Sequence, residues 1–447
     1  MVTPTPLSGF PEFLPEHRIV EQQVLDELRR TFELWGFASI ETRAVEPLTQ
    51  LLRKGEIDKE VYAVRRLHAD ADDVDTLALH FDLTVPFARY VLENAGKLKF
   101  PFRRYQIQKA WRGERPQDGR YREFTQADVD IVGAGSLAFH HDVEVASAMA
   151  AALRRLPLPP LTVQVNNRRL LEGFFLGLGI VDTGAVMRAV DKLDKLPAEA
   201  VQQLLVSSAG VNVETANRCL ALAAVNGSAD DVVAGVRELG VVHELLDQGL
   251  EELVAVLSGA ARHSDDQVWV VGDLRIARGL DYYTGTVFET RMAGFEHLGS
   301  VCSGGRYESL ASDGNAFYPG VGISLGVTRL LAPLFARGLL RASRSVPSAV
   351  LVAVMAESRR GVADDVAARL RARGIACEVS ADDAKFGRQI RTADRRGIPF
   401  VWFTPADDDG THQVKDIRSG DQAEADPDTW SPPELDLAPS VVSSWPA

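Results

Sequence analysis

The chain reads as an α/β protein in which a long antiparallel hairpin, a run of helices and a closing strand–helix alternation follow one another along 447 residues. Three observations predict this. Residues 102–112 and 123–133 alternate in side-chain character with a period of two, and GERPQDGRY between them is rich in turn formers. From about 180 to 262 the composition shifts to Ala, Leu and Val with few aromatics, as in ANRCLALAAV and VRELGVVHELLDQGLEELVAVL. Beyond a Ser/Arg/Pro link at 341–347, the segments AVLVAVM, VADDVAARLRARG, ACEVS, a second helical stretch and PFVWF alternate strand with helix. That order predicts a small α/β unit with largely parallel strands.

The other elements follow from spacing. Val20, Val24, Leu28, Phe32 and Trp35 recur every three or four residues, which predicts a helix over 16–35 stopped at Gly36. FASIETRAVEP then reads as a strand ending at Pro47. Residues 76–93 and 138–155 look helical in large part, while VWVV (268–271), GTVFETRM (285–292) and YPGVGISLG (318–326) look like strands. The last strand runs into the helix VTRLLAPLFARG. Four regions result: a first core part over 1–180, a helical insertion over 181–262, a second core part over 263–340, and an α/β unit over 347–447. The Asp/Pro-rich last forty residues are expected to lie at the periphery, in part disordered.

Composition narrows the function. A net charge of −13 argues against a general polyanion binder, yet the charge is uneven. Nine Lys/Arg against two acidic residues between Lys97 and Arg122 give a local +7, and Pro347–Phe403 carries +3. From Thr404 onward the balance is −8. Contact with nucleic acid is therefore expected at two basic zones only. Cys219, Cys302 and Cys377 lie far apart with no CxxC pair, so no zinc or redox centre is expected, and so few thiols fit a reducing cytoplasm. MVTPTPLSGFPEF lacks the pattern of a signal peptide, and no stretch approaches the ~20 apolar residues of a membrane span.

The hairpin holds the chemistry. On its second strand Phe124, Gln126, Asp128 and Asp130 share one face and Ala127, Val129 and Ile131 the other. Arg112 and Glu114 close the first strand, and Arg120 and Phe124 follow the loop. One guanidinium facing an acidic, amide-bearing wall suits a ligand both anionic and cationic, such as an amino acid joined to a phosphate. GVGISLG, by contrast, misses the dinucleotide-binding GxGxxG spacing by one residue.

FRRYQIQKAWRGERPQDGRYREFTQADVDIVG (102–133) resembles motif 2 of the class II aminoacyl-tRNA synthetases in its histidyl form. RGLDYYTGTVFE (278–289) is similar to the histidine-specific signature of that family, GVGISLGVTRL (320–330) resembles motif 3, and 16–47 resembles motif 1. DLTVPFARYV (82–91) and KFGRQIRTADRRGIPFVWF (385–403) also resemble histidyl segments, so the likeness spans nearly the whole chain. The resemblance implies an antiparallel catalytic sheet flanked by helices, a helical insertion and a C-terminal anticodon-binding domain. It implies activation of L-histidine with ATP and transfer to tRNA(His), by a cytoplasmic homodimer.

Residue by residue, the resemblance makes Arg112 and Arg278 the catalytic cations. Histidine is implied to meet Asp82, Leu83, Thr84, Arg112, Gln126, Asp130, Arg278, Tyr282 and Tyr283, with Asp82, Thr84 and Gln126 on the ammonium and Asp130 and the tyrosines on the ring. ATP is implied to meet Arg112, Glu114, Arg120, Phe124 and Arg329, its adenine between Phe124 and Arg329. Lys385, Arg388, Arg391 and Arg395 follow helical spacing and are expected to contact tRNA phosphates. Magnesium is implied with the triphosphate, although no acidic cluster identifies protein ligands for a metal. Glycines 320, 322 and 326 are expected to allow close approach at a strand-to-helix turn. His80 stands where the family usually has arginine, and SGFPEFLPEH matches the usual start only approximately. Two other readings are a regulatory subunit of the same fold and a synthetase for another amino acid. Retention of RGLDYYTGTVFE, Asp130 and the C-terminal unit argues against both.

Overall fold

The computed structural model describes residues 4–52, 60–68, 76–277, 279, 282–312, 314, 316–407 and 410–445. The chain divides into two compact units, Met1–Pro11 with Leu25–Pro333, and Glu12–Val24 with Leu334–Ala447.

The helix Pro15–Leu34 forms where the stripe of Val20, Val24, Leu28 and Phe32 predicts it, and all four are buried. It ends at Gly36, whose φ of 76° lets the amide of Phe37 return to the carbonyl of Phe32 at 3.1 Å. The next stretch departs from the single expected strand. β1 (Ala38–Ser39) joins the large sheet of the first unit, whereas β2 (Val45–Pro47) pairs in a small sheet with β3 (Ala63–Val64) and β4 (Leu77–Leu79). Between them Thr42 is held by side chains: the amide of Gln106 donates to its hydroxyl at 2.9 Å and that of Gln108 to its carbonyl at 2.8 Å. Residues 76–93 likewise divide into β4 and the helix Thr84–Asn94, at whose start Asp82 accepts from the Val85 amide at 3.1 Å.

Among the described residues the large sheet has nine strands. With β1 these are β5 (Phe102–Trp111), β6 (Glu123–Val132), β7 (Leu161–Asn167), β8 (Asn226–Gly227), β9 (Val268–Asp273), β10 (Tyr283–Met292), β11 (Cys302–Ser312) and β12 (Phe317–Gly326). Their order is β1-β5-β6-β12-β11-β10-β7-β9-β8, and all neighbours run antiparallel except β1–β5 and β7–β9. β7 and β11 have no counterpart in the sequence reading. In CSGGRYESLAS, Gly304 lets the strands approach so closely that a Cβ there would stand 2.1 Å from the Gly322 carbonyl. The helices Thr183–Val190, Ala198–Ser208, Val213–Ala223, Ala229–Glu238 and Glu244–Ala260 fill the Ala/Leu/Val-rich region.

In the second unit, β13 (Leu340–Ala342) is followed by β14 (Val350–Ala353), β15 (Cys377–Val379), β16 (Phe400–Phe403), β17 (Gln413–Asp416), β18 (Gln422–Glu424) and β19 (Val441–Ser443). The sheet order is β15-β14-β16-β17-β18. β14 is parallel to both neighbours, as the strand–helix alternation predicts, but β17 and β18 add antiparallel strands that it does not. The acidic end of the chain is more ordered than its composition suggests. Trp430 packs against Phe400 and Trp402 at 5.4 Å, and β19 pairs with β13. No helix among the described residues is long and apolar enough to cross a membrane.

Candidate active site

In the first unit a cavity of 320 Å³ opens over the face of β6, β12, β11 and β10. Of the residues singled out from sequence, Arg112, Glu114, Arg120, Phe124, Gln126, Tyr282, Tyr283 and Arg329 line it together. Arg112 sits one residue past β5, and its Nε donates to the Phe81 carbonyl at 3.0 Å. Its guanidinium carbon lies 5.2 Å from the centre of the Phe124 ring, a cation over an aromatic face. Glu114 lies 3.9 Å from Arg112 and accepts from Arg120 at 3.1 Å, so the basic loop is tied back to the mouth of the cavity. Arg329 stands in the first turn of the helix Val327–Ala336 and donates to the Leu298 carbonyl. The Thr328 hydroxyl accepts from the Thr125 amide at 2.8 Å and so fixes the start of that helix against β6.

Tyr282 and Tyr283 lie against each other with ring centres 4.1 Å apart and planes tilted by 42°. Burial raises the Tyr283 hydroxyl well above the ordinary phenol value, so it stays a neutral donor. Asp130 lies deeper. Its Oδ2 is 2.6 Å from Arg104 Nη2, and its Oδ1 accepts from the Tyr307 hydroxyl at 2.8 Å. Arg104 is fully buried, its guanidinium carbon 4.1 Å over the Phe87 ring. The glycines of GVGISLG serve this layer. A Cβ on Gly322 would stand 2.0 Å from Asp130 Oδ1, and one on Gly320 would stand 2.5 Å from the Tyr307 ring. Both lie within β12, so the space they leave is filled by Asp130 and Tyr307, away from the strand-to-helix turn.

Asp82 and Leu83 are buried and Thr84 half-buried in the turn that opens the helix Thr84–Asn94, one residue from the Phe81 carbonyl that holds Arg112. None of these three, nor Asp130, borders the cavity surface. Arg278 lies outside the described residues. His80 is buried, with Nε2 2.6 Å from the Lys109 carbonyl and Nδ1 3.3 Å from that of Arg43. Arg89, nearby on the helix Thr84–Asn94, is bound to Glu46 at 3.1 Å and Glu93 at 2.8 Å.

In the second unit Lys385, Arg388, Arg391 and Arg395 are all exposed at or along the helix Phe386–Arg396. The opposite side anchors that helix. The Gln389 amide bonds both backbone groups of Val354, at 3.0 and 2.8 Å, and Ala393 is fully buried.

Residues 9–330 match the histidyl-tRNA synthetase family and residues 349–430 an anticodon-binding domain. The chain belongs to the histidyl-tRNA synthetase family. It is 60% identical to a histidine–tRNA ligase of Cutibacterium acnes, over 98% of this chain and 99% of that one. It is 58% identical to one of Micrococcus luteus, over 98% of each. The crystal structure of histidyl-tRNA synthetase from Nostoc sp. PCC 7120 superposes with a TM-score of 0.85 at 33% identity, covering 95% of this chain and 97% of that one.

In this member of the histidyl-tRNA synthetase family the sequence reading missed the buried layer under the cavity: Arg104, Tyr307 and the Gln106–Thr42 link. A signal existed. The β5–β6 register sets Arg104 opposite Asp130, Gln106 opposite Asp128 and Gln108 opposite Gln126. Carrying the pairing outward from the hairpin loop would have placed the buried guanidinium against the acidic wall. Tyr307 left no such trace, because its strand was not recognised.

Proposed function

We propose that the protein activates L-histidine with ATP, forming histidyl-adenylate and pyrophosphate, and then transfers the histidyl group to the 3′ end of tRNA(His). The observation that carries this is the meeting of Arg112, Arg120 and Arg329 with Gln126, Tyr282 and Tyr283 around one cavity. The cations suit a triphosphate and the second set suits an amino acid.

In the first step a carboxylate oxygen of histidine attacks the α-phosphorus, and the bond to the β-phosphate oxygen breaks as pyrophosphate leaves with the electron pair. Such a transfer gains most from positioning and from cations aimed at the non-bridging oxygens. Arg112 is suited to this because the Phe81 carbonyl holds Nε and leaves the two terminal nitrogens to bind oxygen. Arg278 is its proposed partner from the other side. Phe124 and Arg329 are proposed to enclose the adenine, with Glu114 on its amino group and Arg120 on the phosphates.

Asp82, Thr84 and Gln126 are proposed to take the amino acid's ammonium group, with Leu83 beside it, and Asp130 with Tyr282 and Tyr283 its ring. An apolar side chain in the same place would strand those polar groups, a penalty that lets such sites reject wrong substrates by ~10⁴–10⁵ without editing. In the second step a terminal ribose hydroxyl of the tRNA attacks the activated carbonyl and AMP leaves.

Among the described residues no three His, Cys, Asp or Glu side chains converge as a metal site. A magnesium ion arriving with ATP would rest mainly on phosphate oxygens and water, with a carboxylate such as Glu289 at the cavity wall. Residues 347–447 are proposed to read the anticodon region, with Lys385, Arg388, Arg391 and Arg395 against phosphates, and residues 181–262 to form an inserted helical module. A cytoplasmic homodimer completes the reading, and sedimentation as a monomer would count against that part. The activity itself is tested by ATP–pyrophosphate exchange with each amino acid in turn. Histidine alone should support exchange, and exchange with none or with another amino acid would overturn the assignment.

A further inference from the structure

Asp128 lies on β6 between Gln126 and Asp130, buried to 1% exposure, with neither carboxylate oxygen accepting a hydrogen bond of ordinary geometry. Its partner across the β6–β12 ladder is Ser324, which borders the cavity, as does Gln126 on its own strand. Arg104 Nη2 is 4.0 Å from Asp128 Oδ2 and 2.6 Å from Asp130 Oδ2, so among the described residues the cation nearest Asp128 lies closer to the other carboxylate.

Among the described residues, the groups that face Asp128 carry more negative than positive charge. From β5 comes Arg104, from β6 Asp130, from β12 the Ser324 hydroxyl, from β11 the neutral Tyr307 and Cys302, and from the turn before the helix Thr84–Asn94 comes Asp82. Among the described residues, Arg104 is the one guanidinium near Asp128, in a buried layer that also holds Asp130. Burying unpaired charge of that kind is costly, and a buried acid escapes the cost by holding its proton. Burial, more than the neighbouring Asp130 and Asp82, raises Asp128 to about 7, against the pull of Arg104 and Ser324. No described cluster of ligating side chains offers a metal ion as the missing cation.

We propose that Asp128 is a positioning residue for the amino acid, which keeps a proton in the empty site and gives it up when the substrate's ammonium arrives beside Gln126. The exchange balances: the carboxylic acid becomes a carboxylate in the field of the bound ammonium, and one proton is released to solvent. Asp128 thereby acts through the field of the Asp128–Asp130–Arg104 group and is distinct from the side chains that bind histidine directly. This inference rests on the histidine-activating reading given above.

The test is calorimetric titration of histidine into the full chain, in buffers of differing ionisation heat, for the wild type, Asp128→Asn and Asp128→Ser. Near pH 6.5 the wild type should release roughly three-quarters of a proton more than either variant, falling to about a tenth near pH 8. Equal release by wild type and a folded variant overturns the proposal. Should neither variant fold, the wild type alone decides: its release must exceed that due to the free amino acid's own ring, and no excess overturns the proposal. Histidine-dependent pyrophosphate exchange, run alongside, separates the two claims. Exchange retained with no excess proton sinks the Asp128 proposal only, whereas no exchange in the wild type sinks the functional reading.

Discussion

Arg104 Nη2 and Asp130 Oδ2 lie 2.6 Å apart across the β5–β6 ladder, with both side chains buried beneath the cavity. The pair holds the carboxylate proposed to meet the histidine ring, so the fold and the specificity of the site share one contact. Breaking a buried pair from one side leaves an uncompensated charge. Arg104→Met should cost about 3–5 kcal/mol in urea unfolding, and a loss below about 1 kcal/mol would show that the pair does not hold the core.

Gly322 is the space Asp130 needs, since a Cβ there would stand 2.0 Å from Oδ1. Gly322→Ala should displace that carboxylate and raise the histidine KM by ~10-fold or more, with the ATP KM little changed. Equal rises for both substrates would mean that the sheet as a whole had moved. Asp130→Ala should show the same asymmetry more strongly.

Arg112 and Arg278 are assigned the charge that builds on the α-phosphate. Alanine at either should lower the rate of exchange by ~10²–10³ with thermal unfolding unchanged, as loss of a preorganised transition-state group does. A near-normal rate in either variant removes that residue from the mechanism.

The exposed stripe on the helix Phe386–Arg396 should matter only for tRNA. Changing Lys385, Arg388, Arg391 and Arg395 together to Gln should leave histidine-dependent exchange intact and weaken tRNA binding. If each cation meets a phosphate, the slope of log K against log salt should flatten by about 3–4. An unchanged slope would make the stripe an ordinary solvated face.

Asp128 also bears on stability. Its carboxyl is raised from 3.8 to about 7 in the folded protein, so the native state holds a proton that the unfolded chain has lost. The contribution is fully present below about pH 4 and is lost as pH rises through about 7. Between about pH 5 and 8 the wild type should lose on the order of 2–4 kcal/mol more than Asp128→Asn. Parallel stability curves would place Asp128 in a more polar setting.

Local features were legible in the sequence because their signals are local. The stripe from Val20 to Phe32, the β5–β6 hairpin and the basic helix that Gln389 anchors each follow a period of two or near four. The cavity residues on motif segments, from Arg112 to Phe124 and at Arg329, also come together. The misses are long-range. Arg104 owes its role to strand register, and β11 approaches β12 closely where Gly304 carries no Cβ. Trp430 in the acidic stretch packs on Trp402, a contact which an acidic composition conceals. The turn at Asp82 was masked because a strand and a helix abut within one apolar run.

The most direct test is a crystal structure of the protein with histidine and a non-hydrolysable ATP analogue bound together. The account predicts both ligands in the one cavity, the α-phosphate and the amino-acid carboxylate meeting at Arg112 and the imidazole reaching toward Asp130 and Tyr282. Ligands in separate places, or a histidine ring pointing away from Asp130, would contradict it.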